Sequence, residues 1–214
     1  MGANEPLLAG VGFVAAVLVS LVDGRNAVTW TCLAAGLGLA PAVASVYGAD
    51  GALLLLAAAA AGAVAGPLSR VSARRVRWMA GIDPVVPVVA GADSLFGPRS
   101  IRIAAGVMVL PAASWVSFNI PLGSTSTVTG VLFPAAVIWG CAAMRLLTAR
   151  TLVDIAVGVA AVGLAAAAAW LMSGGSDSLA NAAAAAALAP AAAITAGWLG
   201  GHRGGIPASA PAAP

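Results

Sequence analysis

Residues 151–172 read TLVDIAVGVAAVGLAAAAAWLM, and the single charged side chain in this run is Asp154. About 20 mostly apolar residues suffice for a helix to cross the hydrocarbon core of a membrane, so this stretch is long enough on its own. The chain contains seven such stretches: Leu7–Val22, Ala27–Tyr47, Ala52–Leu68, Ile103–Ile120, Val128–Leu147, Thr151–Met172 and Leu179–Leu199. The sequence therefore predicts an all-α membrane protein with seven transmembrane helices.

The overall composition supports a membrane protein. Hydrophobic residues make up 61% of the chain and charged residues 8%, whereas about a quarter of the residues of a soluble domain are charged. Seven helices and their connections occupy nearly all of residues 1–203, which we expect to form a single helical membrane domain without a soluble catalytic domain. Residues 204–214 are rich in Gly, Pro and Ala and are predicted to be disordered.

The positive charges predict the orientation of the helices. All ten basic residues are arginines. They lie in the first and third connections, on the two sides of the turn between the fifth and sixth stretches (Arg145 and Arg150), and after the seventh stretch. Basic connections stay in the cytoplasm, because positive charge is translocated poorly. We therefore expect a multi-pass protein of the cytoplasmic membrane with its N-terminus outside and its C-terminus inside. The net charge of +3 reflects this topology and gives no reason to propose nucleic acid as a partner.

One connection is long. Residues 69–102 are predicted to form a cytoplasmic loop, which begins with a cluster of four arginines: Arg70, Arg74, Arg75 and Arg77. One interpretation of the cluster is plain topology with contact to anionic lipid. The other is a docking surface for a cytoplasmic partner.

The predicted membrane interior lacks the residues of several known chemistries. The chain has no lysine, which excludes the Schiff base of a retinal protein. Its one histidine, His202, lies beyond the seventh stretch, so paired haem ligands are excluded. The sequence has no cluster of Cys, His and carboxylate residues that would predict a metal site. No cofactor is expected. Cys32 and Cys141 are interpreted as small core residues.

Ionisable residues inside a bilayer are costly and are functional candidates by default. Asp154 is the one candidate, and it follows Arg150 by four positions, so the two side chains share a helix face and can form an ion pair. The alternatives for Asp154 are a subunit contact and a proton relay. The other acids, including Asp23, are expected to be solvated in loops.

Uncharged polar residues in the stretches are expected to bond to helix carbonyls rather than to a substrate; they are Thr29, Thr31, Ser114, Ser117, Asn119 and Asn181. Four prolines are each expected to kink a helix: Pro41, Pro111, Pro134 and Pro190.

Two short motifs carry a family resemblance. Leu95-Phe96-Gly97-Pro98 precedes the fourth stretch, and Arg150-Thr151-Leu152-Val153 opens the sixth, with Gly158 eight residues after Arg150. The chain resembles the small membrane subunit of hydrogenase-4 and formate hydrogenlyase-like complexes, the HyfE/HycP type. The resemblance lies in these two motifs, in the number of helices and in the position of the long loop. The resemblance implies a membrane subunit that contacts antiporter-like and hydrogenase-like subunits of a complex I-related assembly.

The chain lacks the charged membrane residues with which that family would move protons. The family carries a glutamate within the sixth helix, a basic residue in the third and an acid early in the seventh. In this chain the corresponding residues of the sixth stretch, 158–163, are only Gly, Ala and Val. Gly62 stands at the position in the third stretch and Asn181 at the position in the seventh. The resemblance with these departures predicts a non-catalytic subunit that braces antiporter-like subunits.

Two other functions remain open. A small transporter for a neutral or lipophilic substrate would use the proline-bearing helices. A lipid-modifying enzyme is disfavoured, because the chain lacks a carboxylate cluster or a histidine base.

Overall fold

The chain folds into a helical bundle. The computed structural model describes residues 5–23, 26–80, 99–119, 131–149 and 151–200, and these contain helices and turns without β-strands. The helices are α1 (Glu5–Leu21), α2 (Ala27–Val46), α3 (Ala49–Ala80), α4 (Arg99–Asn119), α5 (Phe133–Leu147), α6 (Leu152–Ser173), α7 (Ser178–Ala186) and α8 (Leu188–Gly200). Each of the seven predicted stretches is mainly helical over its described residues. The predicted disordered tail, 204–214, lies outside the described residues.

Four helices are long and apolar enough to cross a membrane: Ala27–Val46, Ala49–Ala73, Leu152–Ser173 and Ser178–Trp198. Shorter apolar helices cover Leu7–Leu21 and Phe133–Leu147. The bundle is thus compatible with an all-α membrane protein.

The third helix extends further than the sequence suggested. The prediction placed residues 69–102 in a loop, but α3 continues to Ala80 and α4 already begins at Arg99. The error came from reading hydropathy alone. Residues 69–80 include Ala, Arg and Met, which are strong helix formers, so the helix continues after the apolar stretch has ended.

The seventh stretch is divided into two helices. α7 ends at Ala186, Ala187 lies in a turn, and α8 starts at Leu188. Pro190 has no backbone N–H to bond to the carbonyl of Ala186, which weakens the helix there. Among the predicted kinks, Pro41 and Pro111 do lie inside helices. The prediction for Pro134 was wrong, because Pro134 occupies the first turn of α5, where proline is tolerated.

Contacts between helices fix their relative directions. α1 and α5 are parallel: Gly12 in the middle of α1 packs against Pro134 in the first turn of α5, and Val19 meets Arg145 in the last turns of both helices. α5 and α6 are antiparallel, because Leu146 at the end of α5 packs against Gly158 early in α6.

α2 and α3 are also antiparallel. Asn26 bonds to Arg70 at one end of the pair, and Val43 lies beside Gly51 at the other. α8 runs parallel to α3, since Gly197 near its end packs on Ser69 of α3.

These directions bring the ends of α1, α3, α5 and α8 together with the starts of α2 and α6. We call this the arginine end of the bundle, because Arg70, Arg75 and Arg145 lie there. Two tight turns occupy the opposite end, at Gly48 and Gly174. Both glycines have positive φ angles, a conformation that costs glycine little.

The interior is packed mainly by small residues. α6 contacts α1, α2, α3, α5, α7 and α8, and its buried face consists largely of Ala and Gly. Small residues allow helix backbones to approach closely, which favours dispersion contacts. Cys32 and Cys141 belong to this core and are both buried, as predicted.

Candidate functional site

A buried arginine in the last turn of α5 is the centre of the candidate site. Arg145 is 2% exposed. Its Nη2 atom lies 3.1 Å from Oδ1 of Asp154 and 3.1 Å from Oδ1 of Asp23. Its Nη1 atom donates to the carbonyl oxygen of Val19 at 2.6 Å. We refer to Arg145, Asp23 and Asp154 as the ion cluster.

The start of α6 holds Asp154 in place. Thr151 is the N-cap residue, and its hydroxyl accepts a hydrogen bond from the Asp154 backbone N–H at 3.1 Å. In return, Oδ2 of Asp154 accepts from the Thr151 backbone N–H at 3.2 Å and from its hydroxyl at 2.9 Å. This reciprocal capping box uses one carboxylate oxygen and leaves Oδ1 to face Arg145.

The end of α1 supplies the other side of the ion cluster. Val19 lies in the last turn of α1, where carbonyl groups lack helical donors and carry partial negative charge. Arg145 therefore satisfies one of these carbonyls while it pairs with Asp23, two residues beyond the helix. One guanidinium thus connects the end of α1, the end of α5 and the start of α6.

The members of the ion cluster differ in how deeply they are buried, and a buried charge needs a partner more than an exposed one does. Asp154 is buried and the Asp23 side chain is 30% exposed, at the rim of the bundle. A buried charge is stable only when it is paired and hydrogen-bonded. Arg145 and Asp154 are the charged residues in the core of the described chain, so each depends on the other.

The ion cluster joins the ends of α1 and α5 to the start of α6 through one guanidinium. Within the described ranges, no group of three or more His, Cys, Asp or Glu side chains could hold a metal ion. A shallow depression lined by Ser20, Gly106, Cys141 and Met144 adjoins Arg145, between α1, α4 and α5.

The structure adds a partner to the predicted ion pair. Asp154 forms an ion pair at the start of α6 with Arg145 of α5. Arg150 lies outside the described residues, so a contact between Arg150 and Asp154 stays a prediction. The expectation that Asp23 is simply solvated was wrong, because Asp23 bonds to Arg145.

The predicted arginine cluster lies on the last three turns of α3. Arg70 donates to Oδ1 of Asn26 at 3.3 Å, and Arg75 is exposed. Arg74 and Arg77 occupy helical positions between and beyond them, but their side chains are outside the described part. The four arginines therefore belong to a helix instead of a loop.

Three of the six polar residues predicted to bond to helix carbonyls do so. The hydroxyl of Ser117 donates to the Ser114 carbonyl, and the amide of Asn119 donates to the Trp115 carbonyl. The prediction was wrong for Thr31, whose buried hydroxyl has no hydrogen-bond partner among the described residues. The hydroxyl of Thr29 reaches across to the Ala63 carbonyl of α3 at 3.1 Å. This bond joins α2 to α3.

Sequence reasoning missed Arg145 as a partner of Asp154. The charge pattern predicts only that Arg145 and Arg150 flank a cytoplasmic turn. The usable signal was the spacing Thr151-x-x-Asp154, which resembles a capping box and marks the first turn of α6. Together with the short turn after Leu147, it places the Asp154 carboxylate opposite the last turn of α5.

Comparison with known proteins gives no match: neither a protein-family model, nor a curated protein, nor a solved structure corresponds to this chain.

Proposed function

We propose that the chain crosses the cytoplasmic membrane seven times, with α7 and α8 forming one span and the arginine end facing the cytoplasm. The alternating helix directions support this topology, as do the four long apolar helices. Large apolar side chains are exposed on the outer faces of the bundle, for example Leu37, Leu53, Val107 and Met108. Lipid would cover such side chains. The arginines at one end then satisfy the positive-inside rule.

Exposed tryptophans support the same placement. Trp30 and Trp198 lie near the arginine end, and Trp115 and Trp170 lie near the opposite end. Tryptophan is enriched at both membrane–water interfaces, so these rings fit two interfacial levels. Trp139, midway along α5, belongs to neither level.

Within this membrane we propose a structural role. The chain would be a non-catalytic subunit of a complex I-related [NiFe] hydrogenase or formate hydrogenlyase-like assembly, and it would brace antiporter-like subunits. The family resemblance in the sequence supports the identity of the assembly. The hydrogen chemistry would belong to partner subunits.

The observation that carries the structural role is the position of the buried charges. Arg145 and Asp154 lie at the arginine end and bond to each other, while the rest of the described core between the two ends is mainly Ala, Val, Leu and Gly. A proton path across a membrane needs titratable groups along its length. The described core supports helix packing instead.

Co-purification tests this proposal. An affinity-tagged chain extracted from its native membrane in mild detergent should elute with larger antiporter-like and hydrogenase-like subunits, identified by mass spectrometry. A tagged, unrelated multi-pass protein from the same membrane is the control. Elution as a monodisperse monomer would contradict the proposal. So would normal assembly of an Asp154→Asn complex that no longer pumps protons.

A small transporter is the second candidate, and the break between α7 and α8 favours it. Discontinuous helices often line transporter binding sites, and the break lies beside Gly163 of α6. Uptake of a neutral or lipophilic solute into vesicles that contain the purified chain alone would support a transporter. The subunit proposal expects no such uptake.

A further inference from the structure

We propose that the arginine-bearing end of α3, residues 70–77, binds the headgroups of anionic phospholipids in the leaflet at the arginine end. The inference rests on the proposed membrane placement and adds a specific lipid contact to it. Three observations carry it: the depth of these residues, the face of α3 on which Arg75 lies, and the balance of charge along the helix.

The contacts of α3 set the depth. Gly197 of α8 packs on Ser69 of α3, so Ser69 lies near the level of the exposed Trp198, which follows Gly197. Asn26, just before α2, bonds to Arg70. The side chain of Trp198 and the first residues of α2 thus place the membrane–water boundary close to Arg70.

The length of α3 then places the remaining arginines beyond that boundary. α3 has 32 residues, or about 48 Å at 1.5 Å per residue, and the hydrocarbon core is about 30 Å thick. Arg74 and Arg75 are one turn past Arg70, which is about 6–8 Å along the helix. The headgroup layer on each side is about 5–8 Å thick, so these two positions lie at headgroup height.

The face of α3 indicates that lipid is the neighbour of Arg75. Val64, Leu68 and Val71 are each more than half exposed, and their spacing of four and three residues puts them on one helix face. Arg75 follows Val71 by four positions on the same face and is itself exposed. Since lipid would cover the apolar part of this face, the next side chain along it should lie directly beside lipid headgroups.

Charge selects anionic headgroups. The sequence has no Asp or Glu between Asp50 and Asp83, so no acid on α3 beyond its first turn offsets the arginines. Basic residues at a membrane surface are attracted to anionic lipids within about one Debye length. Arginine also forms bidentate hydrogen bonds with phosphate.

The test compares lipid preference between matched variants of the full chain. Wild type, Arg75→Gln and Ser72→Gln are placed in nanodiscs of phosphatidylcholine alone or mixed with phosphatidylglycerol, and bound lipid is counted by native mass spectrometry. Wild type should retain phosphatidylglycerol preferentially, and added salt should weaken that preference. Arg75→Gln should lower the relative affinity for phosphatidylglycerol about fivefold. Ser72→Gln introduces the same side chain at an exposed position of α3 without removing a charge and should retain the wild-type preference.

Three other outcomes would each overturn the inference. The first is an unchanged phosphatidylglycerol preference in both Arg75→Gln and the triple variant Arg74→Gln, Arg75→Gln and Arg77→Gln. The second is an unchanged lipid preference together with loss of a co-purifying acidic protein, which would make the surface a protein docking site. The third is release of the wild-type chain from membranes by alkaline carbonate, which would reject the membrane placement as well. Retention after carbonate treatment separates the first two outcomes from the third.

Discussion

Replacing Arg145 with glutamine is expected to destabilise the folded chain by about 3–5 kcal/mol, the range found when one partner of a buried ion pair is removed. The reason is that Asp154 would keep its charge in the core without the guanidinium that faces Oδ1. The Val19 carbonyl would also lose its donor. The measurement is the free energy of unfolding in mixed micelles with increasing denaturing detergent, followed by tryptophan fluorescence.

Two further variants show whether pairing is the cause. Arg145→Gln combined with Asp154→Asn removes both charges and should be more stable than Arg145→Gln alone, because no uncompensated charge is left in the core. Asp23→Asn should cost less than Arg145→Gln, since the Asp23 side chain is partly exposed and exposed ion pairs contribute little. If Arg145→Gln costs no more than Arg75→Gln on the exposed end of α3, the ion cluster does not hold the helix ends together.

The second large effect is expected from Gly163→Leu, which should destabilise the bundle by about 3 kcal/mol, at the upper end for overpacked cores. A β-carbon on Gly163 would lie 2.7 Å from the Ala185 carbonyl oxygen and 2.8 Å from the Leu188 β-carbon. These atoms are part of the backbone or next to it, so they cannot rotate away. The added side chain must therefore separate α6 from the junction of α7 and α8.

Gly10→Leu is the matched control for this substitution. Gly10 is an exposed helical glycine with no atom within 4 Å of an added β-carbon, and leucine favours a helix by more than glycine does. Unfolding in the same micelles should show Gly10→Leu to be at least as stable as wild type. Equal stability of the two variants would contradict the close approach of α6 to the α7–α8 junction.

The helices could be predicted because a long run of apolar residues is enough to indicate a membrane helix. The run 152–173 is apolar apart from Asp154 and Ser173, and no knowledge of its neighbours is needed to recognise it. Hydropathy alone predicted the wrong helix ends where it disagrees with helix propensity or with a proline. α3 continues past Leu68 because helix propensity and hydropathy end at different residues, and α7 stops at Ala186 although the apolar character continues into α8.

The candidate site is formed by contacts between different helices, which local sequence patterns do not reveal. Asp154 was identified from its position within an apolar stretch, and its pairing was assigned to the nearest arginine on the same helix. The structure shows Arg145, from the preceding helix, as a partner of Asp154 and adds Asp23, which is more than 120 residues away along the chain. Such a contact follows from α1 and α5 being parallel neighbours, and spacing within one helix cannot reveal it.

We propose that the bundle spans the membrane with its arginine end in the cytoplasm. Labelling of single cysteines with a membrane-impermeant maleimide tests this orientation, in a background where Cys32 and Cys141 are alanine. Asp177 and Ser72 are both exposed and lie at opposite ends of the bundle. We expect Asp177→Cys to be labelled in intact cells and Ser72→Cys to be labelled only after the membrane is opened. Labelling of both cysteines in intact cells, or of Ser72→Cys alone, would reject this orientation.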